Sequence, residues 1–186
     1  MDNKTAFLAG AILDVQSTIR AVDVKIGALI VGLLAPFANM GRICAHFEHI
    51  ININKGLGIV LAAVFFIAWI TALIALVRAL AAIENPAKHI TNHTKYKGAF
   101  YGGGLYQFGL LDTFLNRDFI KASKDVASFE QDVPDTKKEI ETELAFEQLK
   151  LLYIRDLKLH RLKYAIHFGL VWFFVGILSY LISKLI

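Results

Sequence analysis

The stretch GLGIVLAAVFFIAWITALIALV, Gly56 to Val77, runs for twenty-two residues without an Asp, Glu, Lys or Arg. A second stretch, YAIHFGLVWFFVGILSYLIS, Tyr164 to Ser183, does so for twenty. A helix rises about 1.5 Å per residue and the hydrocarbon core of a bilayer is roughly 30 Å thick, so about twenty apolar residues make a span. Both stretches are predicted to cross a membrane as helices. The composition agrees: 56% of the 186 residues are hydrophobic and the mean hydropathy is +0.52, more apolar than a soluble domain of this size.

Upstream of Gly56 a third apolar stretch, Ile26 to Gly41, covers sixteen residues, short for a span. It reaches spanning length if the helix continues through Arg42 to Phe47, with the Arg42 guanidinium reaching outward to the head groups. Pro36 falls inside and removes a backbone hydrogen bond, which predicts a kink or hinge. Gly27, Ala28, Gly32 and Ala35 are small enough to let such helices pack closely on association.

Before this span, Phe7, Ala11, Val15, Ile19 and Val22 recur three or four residues apart, so residues 1–25 read as an amphipathic helix outside the hydrocarbon. A cleaved signal peptide is not expected, because the run Phe7 to Leu13 is short and Asp14 follows it. The resulting organisation is a helix over 1–25, spans over 26–47, 57–83 and 164–184, a short outer loop over 48–56, and a long inner segment over 84–163. Thirteen of the twenty Lys and Arg lie in that segment. Arg78, Lys88, Lys95 and Lys97 flank one span and Arg155, Lys158, Arg161 and Lys163 another, whereas Arg42, Lys55 and Lys184 face the opposite way. The excess of cations predicts a cytoplasmic amino terminus and long segment, in an all-α membrane protein of three transmembrane helices.

Within the long segment, Thr136-Lys137-Lys138-Glu139 has the spacing of a capping box, in which the Thr hydroxyl and the Glu carboxylate each satisfy an orphan amide. No break follows it, so one helix of roughly 70 Å is predicted from Thr136 to about Ser183. Its first half carries Ile140, Leu144, Leu151, Ile154, Leu157 and Leu162, which need partners. The amino-terminal helix and a helix over Leu110 to Ile120 are available, giving a small cytosolic bundle continuous with the membrane part.

Several chemistries are excluded. Tyr101-Gly-Gly-Gly-Leu105 lacks the Gly-Lys-Ser/Thr ending of a phosphate loop. His89 and His93, four apart, and His46 and His49, three apart, lack the His-Glu-x-x-His order of a zinc hydrolase helix, in which Glu directly follows the first His, and read as ordinary loop histidines. Cys44 is the single cysteine, so neither an intramolecular disulfide nor a Cys-rich zinc site is possible. The net charge of +4 and pI near 9.1 follow from membrane topology and call for no nucleic-acid polymer. No enzyme, metal or cofactor is predicted.

What remains is a collar at the inner membrane boundary: Asp23 and Lys25 at the first span, and Arg155, Asp156, Lys158, Arg161 and Lys163 at the last. It reads either as a solvated collar in which Asp23 and Asp156 pair the cations, or as an anion site. In the second reading the cations neutralise a phosphate and Tyr101, Tyr106 or Phe108 stacks on a base.

At these residues the chain resembles the Pycsar effector family, membrane-embedded effectors of bacterial anti-phage defence. Ala21-Val22-Asp23-Val24-Lys25-Ile26-Gly27 is similar to that family's Asp-x-Lys-Ala signature, with Ile26 in place of the Ala. Leu105-Tyr106-Gln107-Phe108-Gly109 is similar to its Tyr-Phe-Gly block, with Gln107 inserted and Gly109-Leu110-Leu111-Asp112 in place of the commoner Gly-Asp-Ile-Ala. Glu147-Gln148 through Ile154, Lys158 and Leu162-Lys163-Tyr164-Ala165 then leads into a final span, and the likeness covers about Leu13 to Ile177.

The resemblance implies an antiviral effector of the bacterial inner membrane, paired with a nucleotide cyclase. Its expected ligand is cyclic CMP or cyclic UMP, made on infection, and its expected effect is membrane disruption and abortive infection, with a homo-oligomer as the acting form. The expected nucleotide site has Lys25, Arg155 and Lys158 on the phosphate, Tyr106 on the base and Asp23 as an orienting carboxylate. Gly27, Gly32 and Pro36 are the expected hinge and packing positions. A holin-like pore former or a structural subunit of a membrane complex are the alternatives.

Overall fold

The structure is a computed structural model and describes residues 3–81, 85–96, 98 and 122–185. Among these residues it is helical, with no strand. Helix α1 covers Asn3–Leu34 and passes through a 3₁₀ segment, Ala35–Asn39, into α2, Met40–Ile53. Helix α3 covers Lys55–Leu80. Two short 3₁₀ turns, Pro86–His89 and His93–Lys95, precede α4, Val126–Asp132, and α5, Lys137–Leu185, which is 49 residues long. The continuous helical runs Asn3–Ile53, Lys55–Leu80 and Lys137–Leu185 are each long and apolar enough to cross a membrane, so this is an all-α membrane protein with three such helices.

The chain divides into two compact units. A polar unit combines Met1–Ser17 with Glu84–Tyr153, and an apolar unit combines Thr18–Ile83 with Ile154–Ile186. In the apolar unit, Val22, Ile26 and Leu33 of α1 pack with Trp69, Ala72, Leu76 and Ala79 of α3 and Leu162 and Ala165 of α5. These positions recur three, four or seven apart, one stripe per helix. A second cluster joins Phe47 and Ile50 of α2 to Leu61 and Phe65 of α3. The opposite face of α3 is equally apolar but uncovered, with Val60, Ile67, Ile70, Ile74 and Val77 exposed. A helix apolar on every side, with one face left bare by the protein, is suited to lipid.

Pro36 accounts for the 3₁₀ segment. Proline has no N–H for the carbonyls three and four residues back, those of Leu33 and Gly32. The Trp69 indole Nε1 on α3 donates to the Leu33 carbonyl at 2.7 Å, and Phe37 lies against the Trp69 ring with centroids 4.5 Å apart. The expected kink is thus a one-turn tightening held from the side by a tryptophan.

The expected outer loop over 48–56 is not there. Helix α2 continues to Ile53, and Asn54 alone separates it from α3. Asn54 adopts an extended conformation and its side chain accepts from the Leu57 amide at 3.1 Å, capping α3. The two helices then approach so closely at Gly58 that a Cβ there would lie 2.7 Å from the Ile51 backbone. Phe47 and Ile50, three apart on the buried face of α2, draw the polar-looking sequence His49 to Asn52 into helix.

In the polar unit, Leu8, Ile12 and Val15 of α1 and Leu144, Phe146 and Leu151 of α5 are buried. The Lys4 ammonium pairs with Glu141 at 2.6 Å. Tyr96 stacks on Phe146 at 4.8 Å and His89 on Tyr153 at 4.3 Å, so His89 serves packing. The capping box is present: the Thr136 amide donates to the Glu139 carboxylate at 3.2 Å and the Glu139 amide to the Thr136 hydroxyl at 3.3 Å. The helix expected over Leu110 to Ile120 lies outside the described residues.

Candidate functional site

The collar residues belong to the apolar unit, where α1 and α5 run side by side through the Val22, Ile26, Leu162 and Ala165 core. Asp23 follows Val22 on α1, and Lys158 lies one turn before Leu162 on α5. The Lys158 ammonium donates to Asp23 Oδ1 at 2.5 Å. Its side chain is only 9% exposed, whereas that of Asp23 keeps 35%. A buried ammonium needs a compensating charge, and Asp23 provides it.

The other expected site residues separate around this pair. Arg155 Nη2 is paired with its neighbour Asp156 at 2.9 Å. Lys25 is exposed and, two residues from Asp23, points about 200° away around the α1 axis. Tyr106 lies outside the described residues. Of the five, the structure therefore joins two, Asp23 and Lys158, and joins them to each other. Nearby, the Arg161 guanidinium donates to the Arg78 carbonyl, one of the last carbonyls of α3 and unserved within that helix.

Among the described residues Gly27 and Gly32 are not points of close helix approach, since a Cβ at either would meet nothing within 4 Å. Gly32 instead opens an apolar cavity of about 380 Å³ shared with Ala28, Ala165, Gly169 and Trp172.

The polar unit has a larger cavity, about 470 Å³, walled by Tyr96, Pro134 and the start of α5. Asp132, Asp135, Glu139 and Glu143 line it against Lys95 and Lys138, so its charge opposes a phosphate. One turn on, Glu147 is 3% exposed. Burial pushes its carboxyl above the ordinary 4.5, opposed by the ion pair and hydrogen bond with Lys150 and reinforced by the charge of Glu143. The Lys150 ammonium also sits 4.9 Å from the centre of the Phe146 ring.

The chain matches no family model, no curated protein and no solved structure. The functional reading therefore stands on these residues and on the resemblance noted above.

One polar contact is not where the histidine spacing points. His46 is a helical residue of α2, and its Nε2 lies 3.3 Å from Ser179 Oγ on α5. The Ser179 hydroxyl donates to the Gly176 carbonyl at 2.8 Å, so its single proton is committed and His46 Nε2 is the donor. Nothing in the sequence marks Ser179, a small polar residue inside an uncharged span. Only the packing of α2 on α5 reveals it.

Proposed function

We propose that the chain is the effector of a bacterial anti-phage system of the Pycsar type. On sensing a cyclic pyrimidine mononucleotide, cyclic CMP or cyclic UMP, it disrupts the integrity of the inner membrane and brings about abortive infection. In this reading the polar unit and amino terminus face the cytoplasm, a partner cyclase supplies the ligand, and the acting form is a homo-oligomer. No catalytic step is assigned to the chain itself.

The observation that carries the reading is the Asp23–Lys158 pair. The resemblance rests on separate short segments, and two of them, around Asp23 and around Lys158, meet at 2.5 Å although they lie 135 residues apart. A motif of this kind has a physical reason to exist if its members act on one another. The nucleotide phosphate competes with Asp23 for Lys158, with Arg155 adding charge and Tyr106 meeting the base. Displacing Asp23 removes a link between α1 and α5, and the ligand shifts the balance between the linked and released arrangements by its difference in affinity for them.

Calorimetry on the detergent-purified chain tests direct sensing. Binding of cyclic CMP or cyclic UMP, absent with cyclic AMP and weakened in Lys158→Gln, is the expected result, and absence of heat with every nucleotide defeats it. Co-expression with a pyrimidine nucleotide cyclase, followed with a membrane-potential dye, tests the outcome in cells. Depolarisation without any cyclase favours a holin-like pore former, and no depolarisation in either case favours a structural subunit.

A further inference from the structure

Away from the collar, α2 and α5 with Phe65 of α3 border an open groove built from two adjoining cavities of about 240 and 290 Å³. Phe65, Gly176 and Tyr180 line both cavities. The first is mostly apolar but has Arg42, His46 and Ser179 in its wall. The second is apolar, lined by Trp172, Phe173 and Ile177. At the shared waist a Cβ on residue 176 would come within 3.3 Å of the Phe65 ring, so glycine there keeps the two halves in continuity.

We propose that this groove binds one membrane phospholipid with a net negative head group. Its phosphate lies against Arg42, in the part of the groove that His46 lines, and an acyl chain lies along Phe65, Trp172 and Ile177. Charge and level both point to this ligand. Arg42 is exposed, sits one turn before His46 on the same face of α2, and has no ion-pair partner among the described residues. No carboxylate is among the described residues lining either cavity. A guanidinium at the end of a span, without a counter-ion among the described residues, is completed by a phosphate, which it holds with two parallel hydrogen bonds.

The level is marked independently. Ser179 lies five residues before Lys184, about 7 Å along α5, and the Lys184 ammonium sits 5.9 Å from the centre of the Tyr180 ring. Tyr and Lys at a span end mark the head-group layer. The cationic half of the groove is thus set near that layer, and the apolar half runs from it toward the middle of α5. A soluble anion would use the first half and leave the second empty; a phospholipid uses both.

The test is native mass spectrometry of the full chain, washed free of lipid in non-ionic detergent. It is then titrated with phosphatidylglycerol, phosphatidylcholine, glycerol 3-phosphate or inorganic phosphate. One phosphatidylglycerol per chain is expected to remain bound under activation that strips phosphatidylcholine. Arg42→Gln weakens it about tenfold, Arg42→Lys weakens it less, and Lys88→Gln, at an exposed lysine away from the groove, leaves it unchanged. Circular dichroism of the lipid-free Arg42→Gln chain, expected to match the parent, separates loss of binding from loss of fold; if that variant unfolds, Arg42→Lys and His46→Gln carry the comparison. Equal retention of both lipids, an unchanged adduct in every groove variant, or binding of inorganic or glycerol phosphate as tight as that of the lipid each overturns the proposal.

Discussion

Lys158 Nζ stands 2.5 Å from Asp23 Oδ1, and this contact links the start of one membrane helix to the start of another. Lys158 is almost enclosed while Asp23 remains partly open, so the two partners are unequal. Removing the carboxylate strands a buried ammonium; removing the ammonium strands little.

Asp23→Ala is accordingly expected to lower the stability of the chain by about 3 kcal/mol, toward the low end for a broken buried pair because Asp23 keeps contact with solvent. Lys158→Met costs less, and the double variant recovers most of the loss. Thermal unfolding in detergent, followed by circular dichroism, measures all three. A double variant as unstable as Asp23→Ala shows that the pair is not the source of the effect.

Gly58→Ala tests the α2–α3 hairpin. Because the added carbon would press on the Ile51 backbone, which cannot swing away as a side chain can, a loss of about 2 kcal/mol is expected. Gly41→Ala, where a Cβ meets nothing within 4 Å, leaves the melting temperature unchanged or raises it slightly. Parallel melting curves of the two variants give the comparison.

Trp69→Phe keeps an aromatic ring beside Phe37 but withdraws the donor from the Leu33 carbonyl. A buried acceptor without its partner costs about 1–3 kcal/mol. Pro36→Ala restores a backbone N–H at the same turn, so the cost of Trp69→Phe shrinks in that background. A double-mutant cycle reads the difference.

Glu147 makes stability depend on pH in a definite direction. Burial raises its folded-state value above the ordinary 4.5. Below 4.5 both folded and unfolded chains hold the proton, and above the raised value both have lost it. As pH rises through that window the folded state is penalised for ionising, so Glu147 opposes folding most at neutral pH and least in mild acid. Glu147→Gln removes this part of the pH dependence, measured as the melting temperature between pH 4 and pH 7 for the variant and its parent.

The fold was largely legible because lipid imposes a simple rule. Uncharged runs of about twenty residues have few alternatives, and Thr136 with Glu139 announces the start of α5 through purely local hydrogen bonds. The α2–α3 turn was not legible. His49, Asn52 and Asn54 have the composition of a loop, and only the burial of Phe47 and Ile50 against Leu61 and Phe65 keeps the chain helical as far as Ile53.

The candidate site was legible in part, and for a related reason. Asp23, Lys25, Arg155 and Lys158 share a level along the helices, which counting residues reveals. Which of them face each other depends on helix rotation, and that is fixed by Val22, Ile26, Leu162 and Ala165 in the core. Hence Asp23 and Lys158 are partners, while Lys25 is turned outward. The His46–Ser179 contact was hidden altogether, since a serine inside an apolar span has no sequence pattern to distinguish it from one bonded only to its own helix.

The single-residue connection at Asn54 has a mechanical meaning. With no slack between α2 and α3 and backbone pressed on backbone at Gly58, the two helices form one stiff part that moves as a piece or not at all. If the apolar unit changes shape, the articulation belongs at the 3₁₀ turn Ala35–Asn39, with the Trp69 indole as the catch that must let go.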